Sequence, residues 1–252
     1  FENIPFEVLS NISKFKKILP DPKINQIVQD RKKEKTFIND IGIKTTSWTF
    51  VRSKDDIIKN KSLLPGLLKT CTLGYDGRGQ FLINDLNEVS DKIDFSKEYI
   101  LEKLVNFKKE ISVILTRYGN GEFSIYEPIE NTHKDQILIT SKIPAEISKK
   151  IFKESQFNAK QIAEKLNYVG TMCVEFFIDK DDNLLVNEIA PRVHNSGHLT
   201  INAFNISQFE NHVRAVCDLS LEKVKKISNA EMFNVLGKEI EIYRSKTFNK
   251  NE

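Results

Sequence analysis

The segment T-M-C-V-E-F-F-I-D-K-D-D-N-L-L-V-N-E-I-A at 171–190 constrains this chain most: two strongly apolar runs flank a polar turn, and each run carries one carboxylate. Such runs read as two buried antiparallel strands joined as a hairpin. With the turn centred between Asp181 and Asp182, Glu175 falls directly opposite Glu188. On the period-two pattern Glu175 shares its face with Cys173 and Phe177, and Glu188 with Val186 and Ala190, so both acids are expected to be at least partly buried. Facing carboxylates repel, and burying them unpaired is expensive, so something must neutralise them. The all-oxygen set of Glu175, Glu188 and the adjacent Asn187 suits magnesium or manganese, which bind through a few carboxylates and nucleotide phosphates. The competing reading is an edge hairpin with both acids in solvent.

Around this hairpin, helix and strand patterns alternate without internal repeats, which favours an α+β or α/β enzyme fold over a bundle or sandwich. The spacing predicts a helix over 24–41 ended by Gly42, then strands over 45–51 and 64–71 separated by a short helix with Ser53 as its N-cap. Further strands are expected at 99–105, 110–118, 122–127 and 136–143, with G-N-G at Gly119 to Gly121 as a hairpin turn. A helix over 145–166 precedes the carboxylate hairpin, and a last long helix follows it over 200–219. With 252 residues, 40% of them hydrophobic, the chain can bury one large core or two modest ones. Its 38 basic and 35 acidic residues leave a net charge of +3, too balanced to point to nucleic acid or an anionic membrane as the main partner. Three cysteines without C-x-x-C spacing give neither a disulfide framework nor a zinc site, and a reducing cytosol is the expected location. No stretch approaches the roughly 20 continuous apolar residues of a membrane span. The chain opens at Phe1 in mid-pattern, which suggests a piece of something longer.

A second cluster of chemistry lies in L-L-K-T-C-T-L-G-Y-D-G-R-G-Q. Gly74, Gly77 and Gly79 allow positive φ and close backbone approach, so amides can point at an anion. Lys69 sits in an apolar strand, where a bare ammonium is costly unless it faces a phosphate. The loop is neither a Walker A motif nor a dinucleotide fingerprint, and a plain turn is the competing reading. Arginine is scarce among the basic residues, yet Arg78 falls in this loop and Arg192 directly after the carboxylate hairpin, where planar recognition of phosphate or carboxylate would require it. The following P-R-V-H-N-S-G-H run gathers Arg192, His194, Asn195, Ser196 and His198 around a glycine. It reads either as a substrate loop or as polar filling before a helix.

F-E-N-I-P at Phe1, Q-D-R at Gln29, G-Y-D-G-R-G-Q at Gly74, E-K-L-V at Glu102, N-x-H at Asn131, N-E-I-A-P-R-V-H-N-S-G-H at Asn187 and S-Q-F-E at Ser207 stand in a recognisable order. In these motifs, and over most of its length, the chain resembles the 5-(carboxyamino)imidazole ribonucleotide synthases, ATP-grasp enzymes of bacterial and fungal purine biosynthesis. The resemblance implies an α+β ATP-grasp fold, two α+β subdomains clamping ATP. Residues 1–28 would end a Rossmann-like N-terminal substrate domain and its linker. Residues 29–219 would form the ATP-grasp domain with a lid over about 73–144, and 220–252 would begin a β-rich C-terminal domain.

The resemblance also implies roles. Arg31, Lys69 and the loop of Gly74, Tyr75, Asp76, Gly77, Arg78, Gly79 and Gln80 would bind ATP phosphates. Glu102, Lys103, Leu104 and Val105 would hold adenine, Glu110 the ribose, and His133 and Asn187 further parts of the nucleotide. Glu175 and Glu188 would hold magnesium. Glu2, Tyr75, Asp76, Arg78, Arg192 and His194 would line the site for aminoimidazole ribonucleotide and bicarbonate, with Asn195 and Ser196 as neighbours. The implied reaction is ATP-dependent carboxylation of that ribonucleotide through carboxyphosphate, in a cytoplasmic homodimer. Two rivals remain at this stage: another ATP-grasp ligase or carboxylase, which the P-R-V-H-N-S-G-H loop argues against, and an idle nucleotide-binding module, which intact Lys69, Glu175, Glu188 and Arg192 disfavour.

Overall fold

The computed structural model describes residues 4–72, 79–89 and 93–247. Helix α1 (Phe6–Ser13) leads to α2 (Pro22–Val28), which starts where Asp21 accepts from the Lys23 amide and a proline occupies the first turn. The run expected as one helix over 24–41 is two. Asp30 is extended and accepts from the amides of Lys32 and Lys33, which opens α3 (Arg31–Asp40) afresh. An aspartate within an apolar-periodic run competes with the backbone for donors, and here it caps rather than continues the helix.

Strand β1 (Trp48–Val51), helix α4 (Lys54–Lys59), and strands β2 (Gly66–Thr70), β3 (Gln80–Ile83) and β4 (Tyr99–Lys103) form a small layer. Ser53 caps α4 as expected, in a reciprocal box with Asp56. The sheet order is β1-β4-β2-β3, and Val51, Leu68, Ile83, Tyr99 and Leu101 pack with Ile57 of α4.

The second sheet is larger. It takes β5 (Phe107–Arg117), β6 (Phe123–Ile125), β7 (Ile129–Lys134), β8 (Ile137–Ile143), β9 (Gly170–Asp179), β10 (Leu184–Ala190) and β11 (Ala230–Phe233), in the order β10-β9-β5-β7-β8-β11 with β6 also on β5. The stretch 73–144 therefore contributes to both sheets, and β11 brings part of 220–252 onto the edge of β8. β7 has no counterpart among the expected strands: I-E-N-T-H-K offers a single aliphatic side chain, and its pairing with β5 and β8 holds it extended. Helix α5 (Lys149–Lys165) begins later than expected, where Ser148 accepts from the Ile151 amide. Its Ile151, Ala159, Ile162 and Ala163 meet Ile111, Val113, Val174, Phe176 and Val186 on one face of the sheet.

On the opposite face an apolar cluster of Ile114, Ile129, Cys173 and Ala190 lies under Leu199, Ala203 and Phe204. The long helix expected over 200–219 is broken into α6 (Thr200–Ala203) and α7 (Gln208–Val216). Phe204 turns extended to pack edge-on against Tyr126 at 5.0 Å, and Ser207 restarts the helix by accepting from the Glu210 amide. A short α8 (Glu239–Arg244) comes last. No helix among the described residues is long and apolar enough to cross a membrane.

The hairpin of β9 and β10 does place Glu175 opposite Glu188, but not by the expected route. Its loop is three residues, with Asp182 in the left-handed region at φ 61° and the Asp179 carboxylate accepting from the amides of Asp181 and Asn183. Leu184 therefore pairs with Ile178, one residue away from the straight register, and a bulge at Asn187 restores the Glu188–Glu175 pair. The bulge also reverses parity, so Val186 faces the apolar core while Glu188 shares the other face with Ala190 alone. Glu188 ends exposed rather than partly buried, because the bulge re-aims it toward the open end of that face.

Asn211 on α7 accepts from the Tyr118 hydroxyl at 2.8 Å and donates to Tyr126 Oη at 2.9 Å and Ser124 Oγ at 3.1 Å, all buried. Asn211→Leu strands the Tyr118 hydroxyl and part of the hydrogen-bonding capacity of Tyr126. The expected cost is about 2–4 kcal/mol, read as a lower urea midpoint at unchanged slope.

Candidate active site

Lys69 on β2 and Glu102 on β4 lie on neighbouring strands, and Lys69 Nζ meets Glu102 Oε2 at 2.8 Å. From the other side Lys35 of α3 reaches Glu102 Oε1 at 3.3 Å. Lys35 Nζ also donates to Thr45 Oγ1 and to the carbonyl of Asn187, each at 2.8 Å. Both Lys35 and Glu102 are almost completely buried. Burial alone would raise the Glu102 carboxyl, but the two ammonium groups outweigh it and hold the pKa at about 2. Burial pulls Lys35 below the ordinary lysine value against the attraction of Glu102. Lys69 therefore rests on a carboxylate in this structure.

Arg31, the first residue of α3, donates from Nη1 to the Thr70 carbonyl at 2.9 Å, so it stands where β2 runs into that loop. The loop's exit is fixed by Gly79, whose φ is +70°, and an added Cβ there would lie 2.7 Å from Thr70 Oγ1. Gln80 pairs with Lys69 across the β2–β3 ladder. Glu2, Gly74, Tyr75, Asp76, Gly77 and Arg78 lie outside the described residues. Lys103 ends β4 and Leu104 and Val105 lead on toward β5, anchored by the amides of Lys103 and Leu104 on the carbonyls of Ser47 and Pro65.

The polar half of the large sheet's second face collects the remaining carboxylates. Register places Ser112 beside Glu175, Glu175 beside Glu188, and Glu110 beside Asn131. His133 Nδ1 is hydrogen-bonded to Glu110. Burial opposes protonation of His133, but Glu110 prevails and raises its pKa. Burial and the facing Glu188 push the Glu175 carboxyl well above the usual carboxylate range, against the pull of His133 and Arg192. A cation between the pair would relieve that repulsion. Among the described residues no group of three or more His, Cys, Asp and Glu side chains is placed to hold a metal by itself. Two carboxylates whose other ligands come from phosphate and water match the way magnesium is bound.

The loop after β10 closes over this face. The side-chain amide of Gln208 clamps the His194 peptide: Oε1 accepts from the His194 amide at 2.9 Å and Nε2 donates to its carbonyl at 2.6 Å. Gly197 is required there, since a Cβ would lie 2.6 Å from Gln208 Oε1. His194 Nε2 stands 3.6 Å from Glu175 Oε1, and burial, then Arg192, push its pKa down to about 3, so the ring is neutral. Arg192 donates to the Val193 carbonyl at 3.1 Å. Asn195 keeps Oδ1 buried without a hydrogen-bond partner. Ser196, expected beside the ribonucleotide, is fully buried, and its hydroxyl is committed to His194 and Ser112.

Three residues of this arrangement carry no sequence expectation. Lys35 and Glu34 sit in the charged R-K-K-E-K run at 31–35, yet both are buried. Glu34 Oε1 accepts from the Ile189 amide at 2.6 Å, and burial raises its pKa to about 8. Gln208 lies in the S-Q-F-E motif, but nothing in the spacing announces its clamp on a peptide fourteen residues earlier.

Glu102→Gln leaves Lys35 and Lys69 without their counter-charge and is expected to cost about 3–5 kcal/mol at neutral pH. Because the folded pKa lies below the ordinary 4.5, the stabilisation is complete above about pH 4.5 and disappears as pH falls through about 2. Urea titrations across that window should show the wild type losing stability more steeply than the variant.

A family model for the ATP-grasp domain matches residues 36–209. The N5-carboxyaminoimidazole ribonucleotide synthase of Brucella melitensis is 41% identical over 247 residues, covering 96% of this chain and 68% of that protein. The Staphylococcus aureus N5-carboxyaminoimidazole synthetase complexed with ADP superposes with a TM-score of 0.91 at 36% identity, covering 97% of this chain and 66% of that one. The synthase from Aspergillus clavatus, solved with ADP and 5-aminoimidazole ribonucleotide, superposes with a TM-score of 0.83 at 26% identity, over 93% of this chain and 64% of that one. The chain thus spans about two thirds of the length of these relatives. With its two sheets, its paired carboxylates and the loop that covers them, the chain belongs to the ATP-grasp family and, within it, to the N5-carboxyaminoimidazole ribonucleotide synthases.

Proposed function

We propose that this chain is the ATP-grasp part of an enzyme that carboxylates 5-aminoimidazole ribonucleotide with bicarbonate, at the expense of ATP, in purine biosynthesis. One observation carries the reading: Glu175 faces Glu188 across the hairpin and lies 3.6 Å from His194, so a phosphate-linked cation site and the P-R-V-H-N-S-G-H loop converge at one carboxylate. The relative from Aspergillus clavatus, solved with ADP and the ribonucleotide, supports the same pairing of ligands.

In this reading bicarbonate oxygen attacks the γ-phosphorus, ADP departs, and carboxyphosphate forms. Lys69 and Arg31 balance the charge on the transferring group, Lys69 exchanging Glu102 for phosphate. Magnesium, or manganese, supplies charge compensation at the phosphates when held by Glu175 and Glu188 beside Asn187. Glu102 to Val105 hold adenine, and Glu110, fixed by His133, takes the ribose. Carboxyphosphate then separates into carbon dioxide and phosphate. The exocyclic amine attacks the carbon dioxide carbon and passes a proton to the released phosphate, giving the carbamate. Arg192 and neutral His194, with Tyr75, Asp76, Arg78 and Glu2, orient the ribonucleotide and bicarbonate, and Asn195 Oδ1 is an acceptor open to the same ligand. Closure of the small-sheet part of the lid region, β3 and β4, would exclude water from the labile intermediate. The enzyme works in the cytoplasm as a homodimer.

ADP release, followed with ATP, magnesium, bicarbonate and aminoimidazole ribonucleotide each omitted in turn, tests the assignment. Only the complete mixture should turn over, and Glu188→Gln should lower the rate roughly a hundredfold or more. Release that ignores the ribonucleotide but follows another amine or acid would remove the substrate from this proposal.

A further inference from the structure

Behind His194 a file of buried polar side chains crosses three strands of the large sheet. Ser141 on β8 donates to Asn131 Oδ1 at 2.9 Å. Asn131 on β7 donates from Nδ2 to Ser112 Oγ at 2.9 Å. Ser112 on β5 donates to Ser196 Oγ at 2.8 Å, and Ser196 Oγ lies 2.8 Å from His194 Nδ1. Ser141, Ser112 and Ser196 are fully out of solvent, and Asn131 nearly so. With Ser112 donating to it, the Ser196 hydroxyl keeps its own proton for an acceptor, and His194 Nδ1 is the one beside it. The backbone contact decides the direction, because a peptide N–H can only donate. The Ser196 backbone amide donates to the same nitrogen at 3.3 Å. A ring nitrogen that receives two donors is unprotonated, so the remaining ring proton sits on Nε2.

We infer that Ser141, Asn131, Ser112 and Ser196 form a one-way hydrogen-bond relay that fixes His194 in its Nε2–H tautomer, with that N–H turned toward Glu175 and the open half of the sheet face. The first three are positioning residues that touch no substrate and act through the imidazole. Register makes the relay possible: Asn131 pairs with Ser141 and Ser112 with Glu175, and the face they share is the one the His194 loop covers. A buried polar file is expensive if any member is left without a partner, and here every member has one. Orienting a ring by a second group behind it is a recurring way to hold an imidazole ready for proton donation or hydrogen bonding at the other nitrogen.

The value of the relay to turnover rests on the synthase reading above, whereas the tautomer does not, and the experiment separates the two. The chain has only four histidines, so long-range proton–nitrogen NMR correlations on nitrogen-15-labelled protein can assign each ring. His194 is expected to show a bare Nδ1 and a protonated Nε2. Ser112→Ala removes the donor that commits the Ser196 hydroxyl, and should give mixed or inverted His194 tautomers while the other three histidines keep theirs. Ser141→Ala, at the far end and with less packing at stake, should shift the population in the same direction if Ser112→Ala does not fold. In steady state both variants should lower kcat by roughly tenfold or more with KM for ATP nearly unchanged. A wild-type His194 protonated at Nδ1, or a tautomer unmoved by either substitution, overturns the relay. Tautomers that shift as expected in a protein that does not use the ribonucleotide uphold the relay and remove the substrate reading instead.

Discussion

A single carboxylate kept out of water between two ammonium groups organises this molecule. Glu102 belongs to the small sheet and Lys69 to the strand beside it, but Lys35 comes from α3 and simultaneously holds Thr45 and the Asn187 carbonyl of the large sheet. Any separation of these pieces would leave a charge buried without its partner, which is among the costliest outcomes available to a folded chain. The two sheets and α3 are thereby tied at one point, where the proposed reading puts the nucleotide. The same contact makes Lys69 exchangeable. Its ammonium is partly accessible, whereas Lys35 is enclosed, so in the proposed reading a phosphate would draw Lys69 away while the Lys35 charge stays 3.3 Å from Glu102.

The large sheet divides its labour by face. The face against α5, α2 and α3 is continuous aliphatic core. The other is sealed with apolar side chains at the end under α6 and left polar at the end under the His194 loop. Strand periodicity alone produces the polar cluster: Glu110 and Ser112 on β5, Asn131 on β7 and Glu175 on β9 all project to the same side. The described part of the site is thus carried mainly by strands, covered by the His194 loop that Gln208 holds in place.

Much of this was readable from the residues. The Lys69 strand and the Ser53 cap follow from alternation, composition and capping rules and stand where those rules put them, and the hairpin keeps its expected Glu175–Glu188 pair although its loop and register differ. The failures share a cause. Asp30 and Ser207 sit inside helical periodicity and end it, because a side chain that can cap has two uses and only tertiary packing selects one. β7 is extended because its neighbours are, not because its own sequence is strand-like. Lys35 and Glu34 resemble every other charge in their run until long-range contacts enclose them. The relay behind His194 involves small polar residues from β5, β7 and β8, whose juxtaposition no local pattern contains.

The bulge at Asn187 did leave a mark in the sequence: V-N-E-I sets two polar residues side by side, which strict alternation cannot accommodate without turning one of them into the core. The hairpin resolves this with two compensating irregularities, an odd-numbered loop at one end and an extra residue near the other. Each alone would rotate half of β10 inside out. Together they behave like a gear pair: Leu184 and Val186 mesh with the core, then the strand slips one tooth and presents Glu188 to the opposite side. Changes in the length of the 180–182 loop and loss of the residue at 187 are therefore tolerable only in concert, so two distant positions of the hairpin are bound by counting rather than by contact.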